Sequence, residues 1–182
     1  APTVCSLTNH SYFNLNGHAS GTALGHRISV DADAYLETDD TSVPTGRKIP
    51  VAGTPMDFTE EKTLGLDIEA DYSALKQALG YDHCYIIRDT GLRHAAWATG
   101  PLTGIRMEVL TTLPGMHLYS ANYLEPLTAC KDGAHYQKRD AICFETEEFP
   151  DAPNHPEFPD TTVLPNTPYS STTIYRFDLA PQ

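Results

Sequence analysis

The chain has 182 residues, 40% of them hydrophobic, which is enough for a folded core. No continuous apolar stretch reaches the roughly 18 residues a spanning helix needs, and no basic-then-apolar leader is visible, so neither a membrane segment nor a retained signal peptide is expected. The 24 acidic and 12 basic side chains leave a net charge of −12, which repels a phosphate backbone and argues against nucleic acid as a partner.

The first feature in chain order is Thr8-Asn9-His10-Ser11-Tyr12-Phe13-Asn14-Leu15. An imidazole stands in a polar group with two aromatics and a leucine directly behind it. A proton donor working near neutral pH suits such a setting, although His10 taken alone reads as structural. Polar–apolar alternation predicts strands at 27–30 and 105–109. Short β-branched or aromatic runs predict further strands at 84–87, 141–144 and 173–177.

One short helix is expected over 71–80, with Asp71 or Ser73 as its cap, Leu75 and Leu79 on one face, and Gly80 as its stop. The 14 prolines and 12 glycines are scattered between these runs. That pattern fits an all-β sandwich or barrel, read as a single domain over 1–182. Long loops at 38–69 and 148–170 are the expected places for a binding site.

The cysteines Cys5, Cys84, Cys130 and Cys143 form no C-x-x-C pair, so neither a zinc ribbon nor a thioredoxin-type site is indicated. Free buried thiols fit a reducing, cytoplasmic setting; a secreted form with one or two disulfides is the alternative. His10, His18 and His26 recur every eight residues, a spacing that does not suit a metal site, and no metal is expected. His155, in a proline-shaped loop, reads as a surface group.

Three more segments could carry chemistry. In Gly80-Tyr81-Asp82-His83 a turn delivers a carboxylate beside an imidazole, although Asp82 could equally hold the turn itself. In Thr111–Asn122 a strand ends in a Pro-Gly turn and the next begins near His117. In Cys143-Phe144-Glu145-Thr146-Glu147-Glu148, Glu145 continues an apolar strand with further acids beside it. Apolar neighbours and like charges push a carboxyl pKa upward, toward general-base duty near neutral pH. Read singly, each of these has a structural explanation.

Together they resemble the galactose mutarotase (aldose 1-epimerase) family. The resemblance rests on six segments in order: TNHSYFNLNG at 8–17, DADAYLETDDTSVPTG at 31–46, VAGTPMDF at 51–58, GYDH at 80–83, TTLPGMHLYSANYL at 111–124 and CFETEEFPDAPNHPEFP at 143–159. It implies a large antiparallel β-sandwich with an open sugar cleft. It also implies interconversion of the α and β anomers of a free hexose such as galactose or glucose, with no metal or organic cofactor. The family's catalytic base falls on Glu145, its catalytic acid on His10, and its sugar-contacting aspartate on Asp82. Base and acid are expected on opposite sides of the sugar, with Tyr12 or Phe13 stacking on the sugar's apolar face.

Three departures from the family pattern stand out. His117 and Glu147 occupy positions where the family usually has glutamine. His117 is expected to contact the sugar, and Glu147 to raise the Glu145 pKa if the strand is regular enough to put both on one face. The N-terminal half of the family fold has no counterpart here, so a fragment, or a second chain supplying that half, is expected. A carbohydrate-binding protein without catalysis is the alternative. A hexose-phosphate epimerase would need an arginine cluster, and the arginines are dispersed.

Overall fold

The computed structural model describes residues 1–180. Twelve strands and one short α-helix follow in chain order: β1 (Thr3–Val4), β2 (Arg27–Val30), β3 (Ala32–Thr38), β4 (Pro44–Pro50), β5 (Lys62–Thr63), α1 (Ser73–Gln77), β6 (Asp82–Ile87), β7 (Arg93–Thr99), β8 (Ile105–Thr111), β9 (Gly115–Tyr119), β10 (Cys143–Glu147), β11 (Thr162–Val163) and β12 (Thr173–Leu179). Two five-stranded sheets run in the orders β10-β9-β6-β3-β4 and β12-β8-β7-β2-β5. All their pairings are antiparallel.

The two sheets share one core, as a sandwich requires. Tyr85, Met116, Leu118 and Phe144 face inward from the first sheet, and Ile28, Val30, Met107 and Val109 from the second. Side chains alternate along a strand, so Asp82, Cys84, His117, Tyr119, Cys143, Glu145 and Glu147 fall on the outer face of the first sheet. β10 is regular, pairing residue for residue with β9 from Cys143↔Tyr119 to Glu147↔Gly115. The condition for Glu145 and Glu147 to share a face is therefore met.

Several local expectations need correction. The segment at 38–69 is not a loop: it contains β4 and β5, and it buries Met56, Phe58, Leu64 and Ile68 in the main core. β4 was hidden because Pro44 and Pro50 bound it and Gly46 sits inside it, features that suit only an end strand. In 148–170, β11 pairs with β1. The helix stops at Gln77; Tyr72 is its N-cap residue, with no side-chain cap hydrogen bond. Asp71 instead pairs with Lys76. Leu75 is buried, but Leu79 turns out to solvent with φ +56°, so the two do not share a face. Gly80, at φ +139°, continues that reversal, and a Cβ there would run into Asn122 Oδ1.

Two histidines are structural. His26 is fully buried: its Nε2 accepts the Leu15 N–H at 2.9 Å and its Nδ1 donates to Ala23 O at 2.9 Å, which fixes the tautomer. Burial lowers its pKa. His155 is not a plain surface group. It is half-buried, its Nε2 lies 3.1 Å from Pro44 O, and its ring packs against Gly46. The four cysteines are unpaired, with Cys84 and Cys143 buried. No helix among the described residues is long and apolar enough to cross a membrane.

Candidate active site

The outer face of the first sheet is the floor of an open cleft of ≈ 380 Å³, whose lining includes His10, Asp82, His117, Glu145 and Glu147. All four expected site residues thus come together, on strands and one N-terminal segment rather than on the long loops. Strand register explains the convergence. His117 stands level with Cys84 on one side and Glu145 on the other, and Tyr119 stands level with Asp82 and Cys143. His10 arrives from outside the sheet, on the segment that the single bridge Phe13↔Ile142 ties beside β10.

The shortest contacts join ionisable groups. His117 Nε2 lies 2.9 Å from Asp82 Oδ1, and His117 Nδ1 lies 3.2 Å from Glu147 Oε1. Carboxylates only accept, so both ring nitrogens must donate, and the ring is an imidazolium. Burial alone would lower the His117 pKa. The hydrogen bonds and charges of Asp82 and Glu147 overcome it and push the value up to about 10.

His10 Nε2 lies 3.4 Å from Glu145 Oε1; the histidine side chain is 52% exposed and the glutamate 11%. A sugar ring does not fit between them, so the two groups are neighbours here and do not stand on opposite sides of a cavity. Burial raises the Glu145 pKa; the His10 and His117 charges oppose the rise, and Glu147 and Asp82 reinforce it. The acidic neighbours were legible in the sequence, but the proximity of two histidines was not.

Aromatic rings wall the cleft. The His10 and Tyr12 rings stack at 5.1 Å, and Tyr119 meets both edge-on. Tyr123 stacks on Tyr119, whose hydroxyl oxygen accepts the Tyr123 N–H at 3.0 Å. Tyr119, Tyr123 and Cys143 were not picked out from the sequence; the alternation of β9 and β10 is the signal that places Tyr119 and Cys143. His83 points the other way, into the core, where its ring meets Tyr35 edge-on. Its Nδ1 accepts the Asp82 N–H at 3.0 Å, and burial, then the His117 charge, push its pKa down to about 4.

Donor atoms of His10, Cys143 and Glu145 lie within 4.8 Å of one another. A metal there would have to displace the proton of a thiol that burial, followed by the charges of Glu145 and Asp82, keeps neutral. The set suits proton exchange better than metal retention. His18 lies apart, paired with Asp132 and Tyr136, so the eight-residue histidine spacing builds no common site.

A second, larger cleft of ≈ 660 Å³ adjoins the first, with Tyr12 lining both. Its wall is mainly apolar and includes Phe13, Ile105, Leu124, Leu127 and Phe177. It opens beside β10 and β12, each the last strand of its sheet.

Comparison with known proteins bears on the family and the fold. The mouse galactose mutarotase is 37% identical over 185 residues, covering 98% of this chain and 51% of that protein. The Escherichia coli aldose 1-epimerase is 34% identical over 180 residues, covering 97% and 51%. The chain therefore spans about half the length of the curated relatives it matches. The solved structure of an aldose epimerase homologue from C. elegans superposes with a TM-score of 0.84 at 30% identity, covering 99% of this chain and 53% of that one. The galactose 1-epimerase of Lactobacillus acidophilus gives 0.82 at 27% identity, covering 99% and 50%. The family model for aldose 1-epimerase matches residues 1–176. With its sandwich and the acid–base cleft on one outer face, the chain belongs to the aldose 1-epimerase family.

Proposed function

We propose that this chain carries the acid–base centre of an aldose 1-epimerase acting on a free hexose such as galactose or glucose. The observation that carries the reading is the His10–Glu145 pair, an imidazole and a carboxylate 3.4 Å apart at the edge of an open cleft. Glu145 is the base and His10 the acid. The two oxygens to be served, the C1 hydroxyl and the ring oxygen, are bonded to the same carbon. Neighbouring groups on one side of the sugar can therefore reach both.

Glu145 removes the C1 hydroxyl proton. The bond from C1 to the ring oxygen breaks, its electron pair goes to that oxygen, and the His10 imidazolium protonates it. The open aldehyde turns about its C1–C2 bond. Closure returns one proton to His10 and the other, from Glu145, to the new C1 hydroxyl, so the protein is unchanged. No external reductant, oxidant or cofactor enters. Asp82 is proposed to accept from sugar hydroxyls, and Tyr12 to offer a ring face to the sugar. His117 belongs to the substrate-binding set, through Asp82.

The reading includes a covering element. Further polypeptide, on this chain or a second one, is proposed to lie over the apolar cleft. Phe177 and Leu179 on β12 are exposed, and β12 is an end strand of its sheet. An open strand edge beside an apolar face is a template for pairing. A native mass larger than that of one chain, with a second band on a denaturing gel, supports a separate covering chain. A native mass of 20.0 kDa counts against it.

Polarimetry on fresh α-D-galactose and α-D-glucose tests the activity. Accelerated decay of rotation is expected. Calorimetric binding of either sugar without acceleration would instead make the chain a sugar-binding protein.

A further inference from the structure

We propose that His117 is a positioning residue: held as a cation between Asp82 and Glu147, it aims Asp82 at the ligand and offsets the Glu147 charge beside Glu145. The proposal rests on the acid–base reading of the cleft and deepens it.

The register builds the clamp. His117 stands level with Cys84 on β6 and Glu145 on β10. Asp82 lies two residues before Cys84, and Glu147 two residues after Glu145, so both carboxylates are diagonal neighbours of the ring, at a range long side chains can bridge. They are level with Tyr119 and Gly115 respectively, on opposite sides of His117 along β9. One imidazolium thereby ties three adjacent strands together. Gly115 is part of the device: a Cβ there would stand 2.8 Å from Cys84 Sγ and 3.2 Å from Phe149, crowding the ground under Glu147.

Both ring nitrogens are occupied, so His117 has no N–H to give a sugar hydroxyl. Its effect must pass through its partners. Asp82 uses Oδ1 for the clamp and keeps Oδ2 available as an acceptor. Asp82, Glu145 and Glu147 crowd one sheet face with like charge, and His117 is the cation held inside the cluster.

The groups facing His117 are few. β6 contributes Asp82 and Cys84, whose thiol is kept protonated by burial and by Glu147, while the neutral His83 lies on the core side of the same strand. β10 contributes Cys143, Glu145 and Glu147, and the N-terminal segment brings His10 toward Glu145. The His117 charge lowers the Glu145 pKa, and the Glu147 charge raises it. The pair therefore sets the base by opposing effects, which a merely structural cross-strand pin would not do.

The test is an NMR titration of the Glu145 carboxyl and the His117 ring in the full chain, in His117→Gln, in Glu147→Gln and in the double variant. In the parent, both ring nitrogens should stay protonated well above the ordinary imidazole midpoint near ~6.5. His117→Gln should shift the Glu145 midpoint upward, Glu147→Gln should shift it downward, and the double variant should return toward the parent. A His117 ring that titrates near the ordinary value in the parent overturns the proposal. So does a Glu145 midpoint that ignores both single substitutions. If His117→Gln does not fold, the parent titration and Glu147→Gln still decide. Polarimetry on the same proteins keeps the two claims apart. An inactive parent with a clamped ring contradicts the mutarotase reading alone, and an active parent with an ordinary ring contradicts the clamp alone.

Discussion

The two clefts that meet at Tyr12 differ in chemistry more than in size. The larger, of ≈ 660 Å³, is walled mainly by apolar side chains, with His18 and Asp140 at its lining. The smaller, of ≈ 380 Å³, brings together two imidazoles and three carboxylates. Ionisable side chains are costly to gather unless they pair. Here they pair almost completely, His10 with Glu145, and His117 with both Asp82 and Glu147. The larger space offers an exposed apolar surface, and the smaller gathers paired proton donors and acceptors. Volume alone would have selected the cleft without the ionisable cluster.

Breaking the smaller cleft should have the largest effect. Glu145→Gln keeps the shape and removes the proposed base, and the catalysed mutarotation rate should fall by about 10²–10⁴-fold, the span of a general base. The same change should raise the thermal midpoint at neutral pH. Burial raises the Glu145 pKa in the folded state, so its carboxyl is favoured there below the unfolded value, and that stabilisation is lost as pH rises through the folded one. A neutral amide avoids the loss. Calorimetric scans at pH 7 and pH 4 should show a larger gain at pH 7; equal gains would mean the shift is absent.

Next in size is the other face of the same strand. Phe144→Ala empties a core position and should cost about 3–5 kcal/mol in denaturant unfolding. A small cost would show that β10 does not alternate between core and cleft. The rate profile sharpens the comparison further. Activity should fall on the acid side at a pH above the ~4.3 of an ordinary glutamate, because the base is held partly protonated there. The smallest effect belongs to the larger cleft. Leu127→Ser and Phe177→Ser should each change the stability of the isolated chain by no more than about 0.5 kcal/mol, since both side chains are already half in solvent. They should lower the binding of a hydrophobic dye. A large stability loss would mean that this cleft is core, not open surface.

The sequence carried these two faces unequally. Strands with clear alternation or β-branched runs, such as 27–30, 84–87 and 173–177, were legible because burial is written directly into residue type. β4 was not, because proline and glycine mark turns as well as end strands and only the partner strand decides. The end of the helix was misjudged because Leu79 has an apolar side chain on a left-handed backbone, which pattern alone does not reveal.

In the smaller cleft, Glu145, His10, Asp82 and His117 were picked out through ordered family segments. Their mutual arrangement was not legible, since it depends on the register of β6, β9 and β10. Two consequences of that register escaped the sequence. His10 and Glu145 sit side by side, and His117 spends both nitrogens on carboxylates. Cys143 and Tyr119 escaped too, for want of any motif of their own.

The central claim is that the outer face of β10 exchanges protons with a sugar. Polarimetry on fresh α-D-galactose, with parent and Glu145→Gln compared across pH 4 to 8, tests it most directly. The account predicts acceleration by the parent that fades on the acid side, and near-loss of acceleration in the variant at every pH. A variant that keeps the parent's rate would contradict it.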